Sequence, residues 1–186
     1  LGASFRRNLA AVSMDLGTGG IARVRCLDLT TGREEVIEAG LVLNAAGAWA
    51  GRIASLAGAQ IGMLYSMGSL LVTQDRIATR VINRLRRPSD ADILVPGGTV
   101  SILGTTSIRV ASPEGCRPSV AEADRIIDDA RAMLPILDKT RYIRAYAGVR
   151  PLVSLAAAGD DRAVSRGFAL IGHAAEVDVR LFDGGL

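Results

Sequence analysis

One helical period stands out in a chain otherwise made of short β-type runs. Ser119-x-x-Glu122 directly follows Pro118. This is the signature of a capping box, in which the serine hydroxyl accepts an amide proton of the first turn and the glutamate reaches back to the serine amide. Ala123, Ile126, Ile127, Ala130, Met133 and Leu134 then recur at helical spacing up to Pro135. The spacing predicts an amphipathic helix over 119–134, with Ala123, Ile127, Ala130 and Leu134 on the buried stripe.

Elsewhere, apart from one shorter helical period, the apolar residues come in runs too short for helices. Ala22, Val24 and Cys26 alternate with Arg23 and Arg25, the turn residues Thr30 to Arg33 follow, and Glu35 to Glu38 resume the β pattern, so a half-exposed hairpin is expected. Leu41-Val42-Leu43 lacks alternation, which predicts a strand buried on both faces. Trp49, Ile53 and Leu56 then recur at helical spacing as far as Gly58, a helix stop. Ser66 to Thr73 reads as a strand. Ile93 to Val95 and Val100 to Gly104 read as a hairpin about Pro96-Gly97-Gly98, and Tyr142 to Val149 and Phe168 to Ile171 as further strands. Together these readings give a chain that mixes short strands with helices.

Composition narrows the chemistry. His173 is the only histidine, and Cys26 and Cys116 are the only cysteines, so neither zinc-type spacing nor a histidine cluster exists and no metal site is expected. The two cysteines are expected to be buried small hydrophobes rather than a disulfide. Three Phe, three Tyr and one Trp are too few for a stacking platform, so no nucleic-acid partner is expected. No apolar run approaches the roughly 18 residues that cross a bilayer, so any membrane contact is peripheral or made through a partner. Basic residues are arginines throughout except Lys139, and arginine is the better side chain for planar, bidentate grip on phosphate or carboxylate.

Three motifs bear on function. Gly17-Thr18-Gly19-Gly20-Ile21-Ala22 matches the letters of a dinucleotide fingerprint, but the residues after it alternate like a strand where that motif needs a helix, so a hairpin turn is expected. Asn44-Ala45-Ala46-Gly47-Ala48-Trp49 is a row of small residues between a run of β type and a helix. It suits either the close approach of a flat ligand to backbone or simple tight packing. Gly148-Val149-Arg150-Pro151 puts an arginine at the expected end of a strand, and Ser165-Arg166-Gly167 opens the next. Either arginine could hold an anion or simply face solvent. Arg84, Arg86 and Arg87 read as a solvated face.

Five stretches taken in order resemble one family: Val42 to Trp49, Met67-Gly68-Ser69-Leu70-Leu71, Pro88 to Pro96, Leu103-Gly104-Thr105-Thr106-Ser107 and Tyr146 to Leu152. They resemble the FAD-dependent glycerol-3-phosphate dehydrogenases, most of all the catalytic subunit of the anaerobic, multi-subunit bacterial type, from about Ala22 to about His173. The resemblance implies a D-amino-acid-oxidase-like flavoprotein of α+β class, with a mainly antiparallel substrate-domain sheet flanked by the 119–134 helix and part of the strands of an FAD domain. Residues 1–58 would be part of an FAD-binding domain, 59–150 a substrate-binding domain, and 151–186 a return to the FAD domain.

It also implies a middle fragment, with the Rossmann fingerprint upstream of Leu1 and a Gly-Gly-Lys stretch beyond Gly184-Gly185. Asn44, Ala45, Ala46, Gly47 and Trp49 would lie against FAD. Arg150 would be catalytic and bind substrate, with Arg166, Thr105 and Thr106 also on the substrate side. No base is assigned, since the histidine that follows Gly-Ser in single-subunit relatives is Leu70 here.

The implied reaction is oxidation of sn-glycerol 3-phosphate to dihydroxyacetone phosphate with electrons passed to quinone. Electron-transfer or membrane-anchor subunits are the implied partners, in the cytoplasm or on the cytoplasmic face of the bacterial inner membrane. The alternatives are another oxidase of the same superfamily, acting on amines or amino acids, and a catalytically inert binding domain. Because a Rossmann unit supplies most of the pyrophosphate contacts, the isolated 186-residue chain is expected to retain no stoichiometric FAD. An absorbance spectrum of the purified chain checks this, and a full flavin band would overturn it.

Overall fold

The computed structural model describes residues 2–17, 21–87, 89–153, 168–169 and 181–182. These divide into two compact units, with the division between Gly62 and Met63.

The first unit is a three-stranded antiparallel meander followed by a helix. Strands β1 (Leu9–Asp15), β2 (Ala22–Asp28) and β3 (Glu34–Ala39) pair in sequence order. The β2–β3 turn is the one the sequence indicates. Asp28 Oδ1 accepts from the Thr30 and Thr31 amides at 2.7 and 3.0 Å, and Gly32 takes φ +70°, where a β-carbon would be disfavoured. Across the pair, Arg23 faces Glu38 with a 2.9 Å hydrogen bond. Ala22 opens a strand, not the helix that a dinucleotide fingerprint at this point would need; Thr18 to Gly20 lie outside the described residues.

Helix α1 (Ala50–Leu56) follows a short 3-10 turn at Gly47–Trp49. It ends in a Schellman motif, with the Ala59 amide donating to the Ala54 carbonyl at 3.1 Å, the Gly58 amide to Ser55 at 3.1 Å, and Gly58 itself at φ +76°. The expected strand at Leu41-Val42-Leu43 is not formed. Among the described residues no strand pairs with it, and Leu41 and Leu43 are 85% and 77% exposed. Apolar character alone cannot make a strand without a neighbour to take its backbone hydrogen bonds.

The second unit is a six-stranded antiparallel sheet with one helix on one face. Its strands are β4 (Met63–Thr73), β5 (Ile82–Asn83), β6 (Ile93–Gly97), β7 (Val100–Gly104), β8 (Ile108–Val110) and β9 (Tyr142–Val153). β9 pairs with β4 along nearly its whole length, from Met63 opposite Val153 to Thr73 opposite Tyr142. β7 and β8 therefore share the other edge of β4, at Leu70 to Val72 and at Tyr65 to Met67. Two short further strands, β10 (Phe168–Ala169) and β11 (Leu181–Phe182), pair with each other; Ile171, expected in the same strand as Phe168, lies outside the described residues.

Register sorts this sheet into two faces, because directly opposite residues point the same way. Leu94, Leu103 and Leu71 form one row across β6, β7 and β4. They pack on Ile126 and Ala130 of helix α2 (Val120–Ala130) and on Leu137, all essentially buried. The next row, Asn83, Ile93, Gly104 and Leu70, lies on the opposite face.

The capping box at the start of α2 forms as the sequence indicates. Ser119 Oγ accepts from the Glu122 amide at 3.2 Å, and Glu122 Oε2 accepts from the Ser119 amide at 2.9 Å. The helix ends at Ala130, not Leu134, because Leu134 precedes a proline and is driven to extended backbone (φ −141°, ψ 102°), after which Pro135–Lys139 make a 3-10 turn. The buried stripe is accordingly Glu122, Ile126 and Ala130, while Ala123, Ile127 and Leu134 are half-buried around it. Both cysteines are free, Cys26 buried and Cys116 only half-buried, so the second is not the interior hydrophobe expected.

Glu122 is a buried carboxylate with four donors. Besides the cap, Oε1 accepts from Ser69 Oγ at 2.7 Å and from Thr106 Oγ1 at 3.4 Å, and Oε2 accepts from Ser119 Oγ at 2.8 Å. Burial pushes its pKa up, but the hydrogen bonds from Ser69, Ser119 and Thr106 outweigh burial and hold the carboxyl below its ordinary 4.5. Its contribution to stability is therefore present above pH 4.5 and lost as the pH falls through the depressed native value. Glu122→Gln should lower stability by about 2 kcal/mol at pH 7, with the gap to wild type narrowing below pH 4.5. Urea unfolding across pH 3.5 to 7 checks this, and a gap independent of pH would show that the charge contributes nothing.

Candidate functional site

On the face of the sheet away from α2, the second unit holds an open cleft of about 250 Å³. Asn83, Ile93 and Gly104 form part of its floor, and Arg86, Thr105 and Arg150 supply polar groups at its walls.

Arg150 reaches this cleft from β9, three residues before the strand ends, opposite Ser66 of β4. The sequence places it at a strand end with Pro151 as the exit, but β9 runs on to Val153 and Pro151 sits within it, paired with Tyr65. Such a proline is tolerated because β9 has no strand on its other side among the described residues, so no ladder hydrogen bond is lost there. The guanidinium Nη2 donates to Thr105 Oγ1 at 3.1 Å and to the Thr106 carbonyl at 3.4 Å.

The approach depends on Gly68. A β-carbon there would stand 2.5 Å from Arg150 Nη2 and 3.1 Å from Cζ, and would also collide with Thr105 Oγ1. Gly104 has a similar role, since its β-carbon would lie 2.8 Å from Leu70 Cδ2. These glycines serve space, not turn conformation.

Thr105 and Thr106 divide their tasks. The Thr105 side chain is half-buried and bonded to Arg150. Thr106 is fully buried, and its hydroxyl points to the helix side, accepting from the Ser69 amide at 2.9 Å and donating to Glu122. Thr106 thus offers the cleft its backbone, and its side chain belongs to the core network.

Sequence reasoning missed Arg86, taken with Arg84 and Arg87 as a solvated face. Only Arg87 fits that description. Arg84 Nη1 donates to the Asp129 carbonyl near the end of α2 at 3.3 Å, and Arg86 Nε donates to Asp92 Oδ1 at 2.8 Å while lining the cleft. The available signal was Asp92 itself, in the Pro88 to Pro96 stretch.

In the first unit, Asn44, Ala45, Ala46, Gly47 and Trp49 share one short segment, the end of the loop after β3 together with the 3-10 turn at Gly47–Trp49. Asn44 braces it from both sides, accepting from the Ala46 amide at 3.2 Å and donating to the Ala50 carbonyl at 2.8 Å. Gly47 has φ +56° and open space where a β-carbon would be, and Ala45 and Gly47 are exposed. Small side chains over braced, accessible backbone fit a flat cofactor such as FAD lying against them. Arg166 lies outside the described residues.

Comparison with known proteins agrees with this architecture. One subunit of the anaerobic glycerol-3-phosphate dehydrogenase of Escherichia coli (strain K12) is 44% identical over 156 residues, covering 83% of this chain and 29% of that protein. The subunit of the same name from Haemophilus influenzae is 43% identical, covering 84% and 28%, and its counterpart from Haloferax volcanii is 39% identical, covering 80% and 26%. The chain thus spans under a third of the length of the curated relatives it matches.

Among solved structures, the FAD complex of the Bacillus halodurans glycerol-3-phosphate dehydrogenase superposes with a TM-score of 0.64 at 24% identity, over 78% of this chain and 31% of that one. Glycine oxidase from Geobacillus kaustophilus gives 0.63 at 16%, over 78% and 37%. At these identities both speak for the fold alone. Residues 1–178 match the family described as DAO, FAD dependent oxidoreductase, and this chain belongs to that family.

Proposed function

We propose that the full-length protein carrying this chain oxidises sn-glycerol 3-phosphate at C2 to dihydroxyacetone phosphate, using FAD and passing the electrons to quinone. The observation that carries the reading is Arg150, a cation fixed by two oxygens over a glycine, at the wall of a cleft with a second arginine. Such a site suits a small anionic substrate. The relatives named as anaerobic glycerol-3-phosphate dehydrogenase support the choice of substrate, and their being subunits of that enzyme supports partners for electron transfer or membrane anchoring. No helix among the described residues is long and apolar enough to cross a membrane. We place the enzyme in the cytoplasm or at the cytoplasmic face of the inner membrane. On this reading the first unit contributes to the FAD domain and the second binds substrate.

Asn44, Ala45, Ala46, Gly47 and Trp49 would hold FAD through a braced backbone, with open space at Gly47 where a β-carbon would stand. Bound FAD supplies the two-electron acceptor for the C2 hydrogen. Arg150 orients the substrate and stabilises negative charge developing on the C2 oxygen in the transition state. A fixed guanidinium does this without reorganising during the reaction. Thr105 and the Thr106 carbonyl keep the guanidinium from swinging away. Arg166 is proposed to support the phosphate or the flavin.

In the flavin-loaded full-length enzyme, Arg150→Ala should lower kcat/KM for glycerol 3-phosphate on the order of a hundredfold, and Arg150→Lys should recover part of that, keeping charge but losing the planar fork. Arg144→Ala, on the same strand about 20 Å away and exposed, should stay within a factor of two or so. Steady-state assays at equal flavin content check the series, with glycine as the competing substrate. Equal losses for Arg150→Ala and Arg144→Ala, or preference for glycine, would overturn the assignment.

Gly68→Ala tests the same geometry differently. Its β-carbon displaces the movable end of Arg150, so activity should fall about tenfold or more while the unfolding midpoint changes little. A variant that kept full activity would show that the close approach is dispensable.

A further inference from the structure

The loop joining β5 to β6 holds one arginine in place. Two non-glycine residues in it, Leu85 and Ala91, have positive φ (51° and 54°), a conformation L side chains rarely adopt. Ala91 is fully buried in the core, which fixes the backbone there. Asp92 uses both carboxylate oxygens inside the loop, Oδ1 accepting from Arg86 Nε at 2.8 Å and Oδ2 from the Ser89 amide at 2.7 Å. The Arg84 amide donates to the Asp92 carbonyl at 3.1 Å, and Arg125 pairs with Asp90 at 3.1 Å, tying the loop to α2.

A merely solvated arginine needs none of this bracing. Pairing through Nε leaves the two terminal nitrogens of Arg86 without a protein partner among the described residues, and the side chain is 39% exposed where it lines the cleft. Those nitrogens form the flat edge that matches two oxygens of a phosphate. Asp92, the carboxylate that lines the cleft with these arginines, already has both oxygens engaged inside the loop by Arg86 and Ser89.

We infer that Arg86 is the phosphate-recognising residue of the cleft, taking the dianion of a phosphomonoester while Arg150 attends to the reacting end, with Asp92 as the positioning residue that orients Arg86. The identity of the substrate rests on the proposed function; the anion site rests on the loop geometry.

The test uses the flavin-loaded full-length enzyme and two readouts: steady-state oxidation of glycerol 3-phosphate, and binding of inorganic phosphate measured by calorimetry. Arg86→Ala should raise KM and weaken phosphate binding by about tenfold to a hundredfold, with kcat within a few-fold, because the contact is equally strong in ground and transition states. Arg86→Lys should recover part of both, and Arg87→Ala, exposed and outside the cleft, neither. Asp92→Asn should weaken phosphate binding less than Arg86→Ala.

Unchanged KM and unchanged phosphate binding in Arg86→Ala would overturn the inference while leaving the proposed function standing. Failure of the wild-type enzyme to bind phosphate would also overturn it. A wild-type enzyme that bound phosphate through Arg86 but did not oxidise glycerol 3-phosphate would sustain the inference and sink the proposed function. Should Arg86→Ala lose flavin or fold poorly, the lysine variant carries the same comparison.

Discussion

The second unit depends on a carboxylate buried between its helix and its sheet. Glu122 closes the capping box of α2, takes a hydrogen bond from Ser69 on β4, and another from Thr106 just beyond β7. A charge buried this deeply is tolerable only if its lone pairs are satisfied, and here they are, which converts a potential cost into a constraint on three elements at once. The same Thr106 gives its carbonyl to Arg150 on the other side of the sheet. The seating of the helix and the aim of the cleft arginine are thus two ends of one chain of hydrogen bonds, with a single residue in the middle.

What the sequence makes legible follows from how local the governing interaction is. The capping box, the turn through Thr30 to Arg33 and the Gly58 helix stop are decided within a few residues, and each forms as expected. Leu41-Val42-Leu43 fails for the opposite reason, since a buried strand is defined by neighbours that its own residues do not encode. The early end of α2 was readable in principle, because Leu134 precedes a proline, but the apolar period across it is stronger to the eye than the backbone restriction.

The cleft shows the same division. Arg150 and Thr105 can be picked out by their surroundings in the chain, and the structure brings them within hydrogen-bonding distance across 45 residues. Thr106, adjacent and chemically identical to Thr105, faces the other way; only the three-dimensional placement of Ser69 and Glu122 decides that. Arg86 was hidden because a run of arginines in a polar segment looks the same whether or not an aspartate six residues on turns one of them inward.

Gly68 and Ser69 are adjacent on β4 and serve opposite sides of the sheet: one makes room for Arg150, the other hydrogen-bonds Glu122. This makes strand length a requirement in its own right, beside the identity of the two residues. Gaining or losing one residue between Ser66 and Leu71 would exchange the two sides, bringing a hydroxyl under the guanidinium and a hole beneath the helix. Added residues should therefore be accommodated where the chain leaves the sheet, as between Val110 and Ser119, and not along β4 between Ser66 and Leu71.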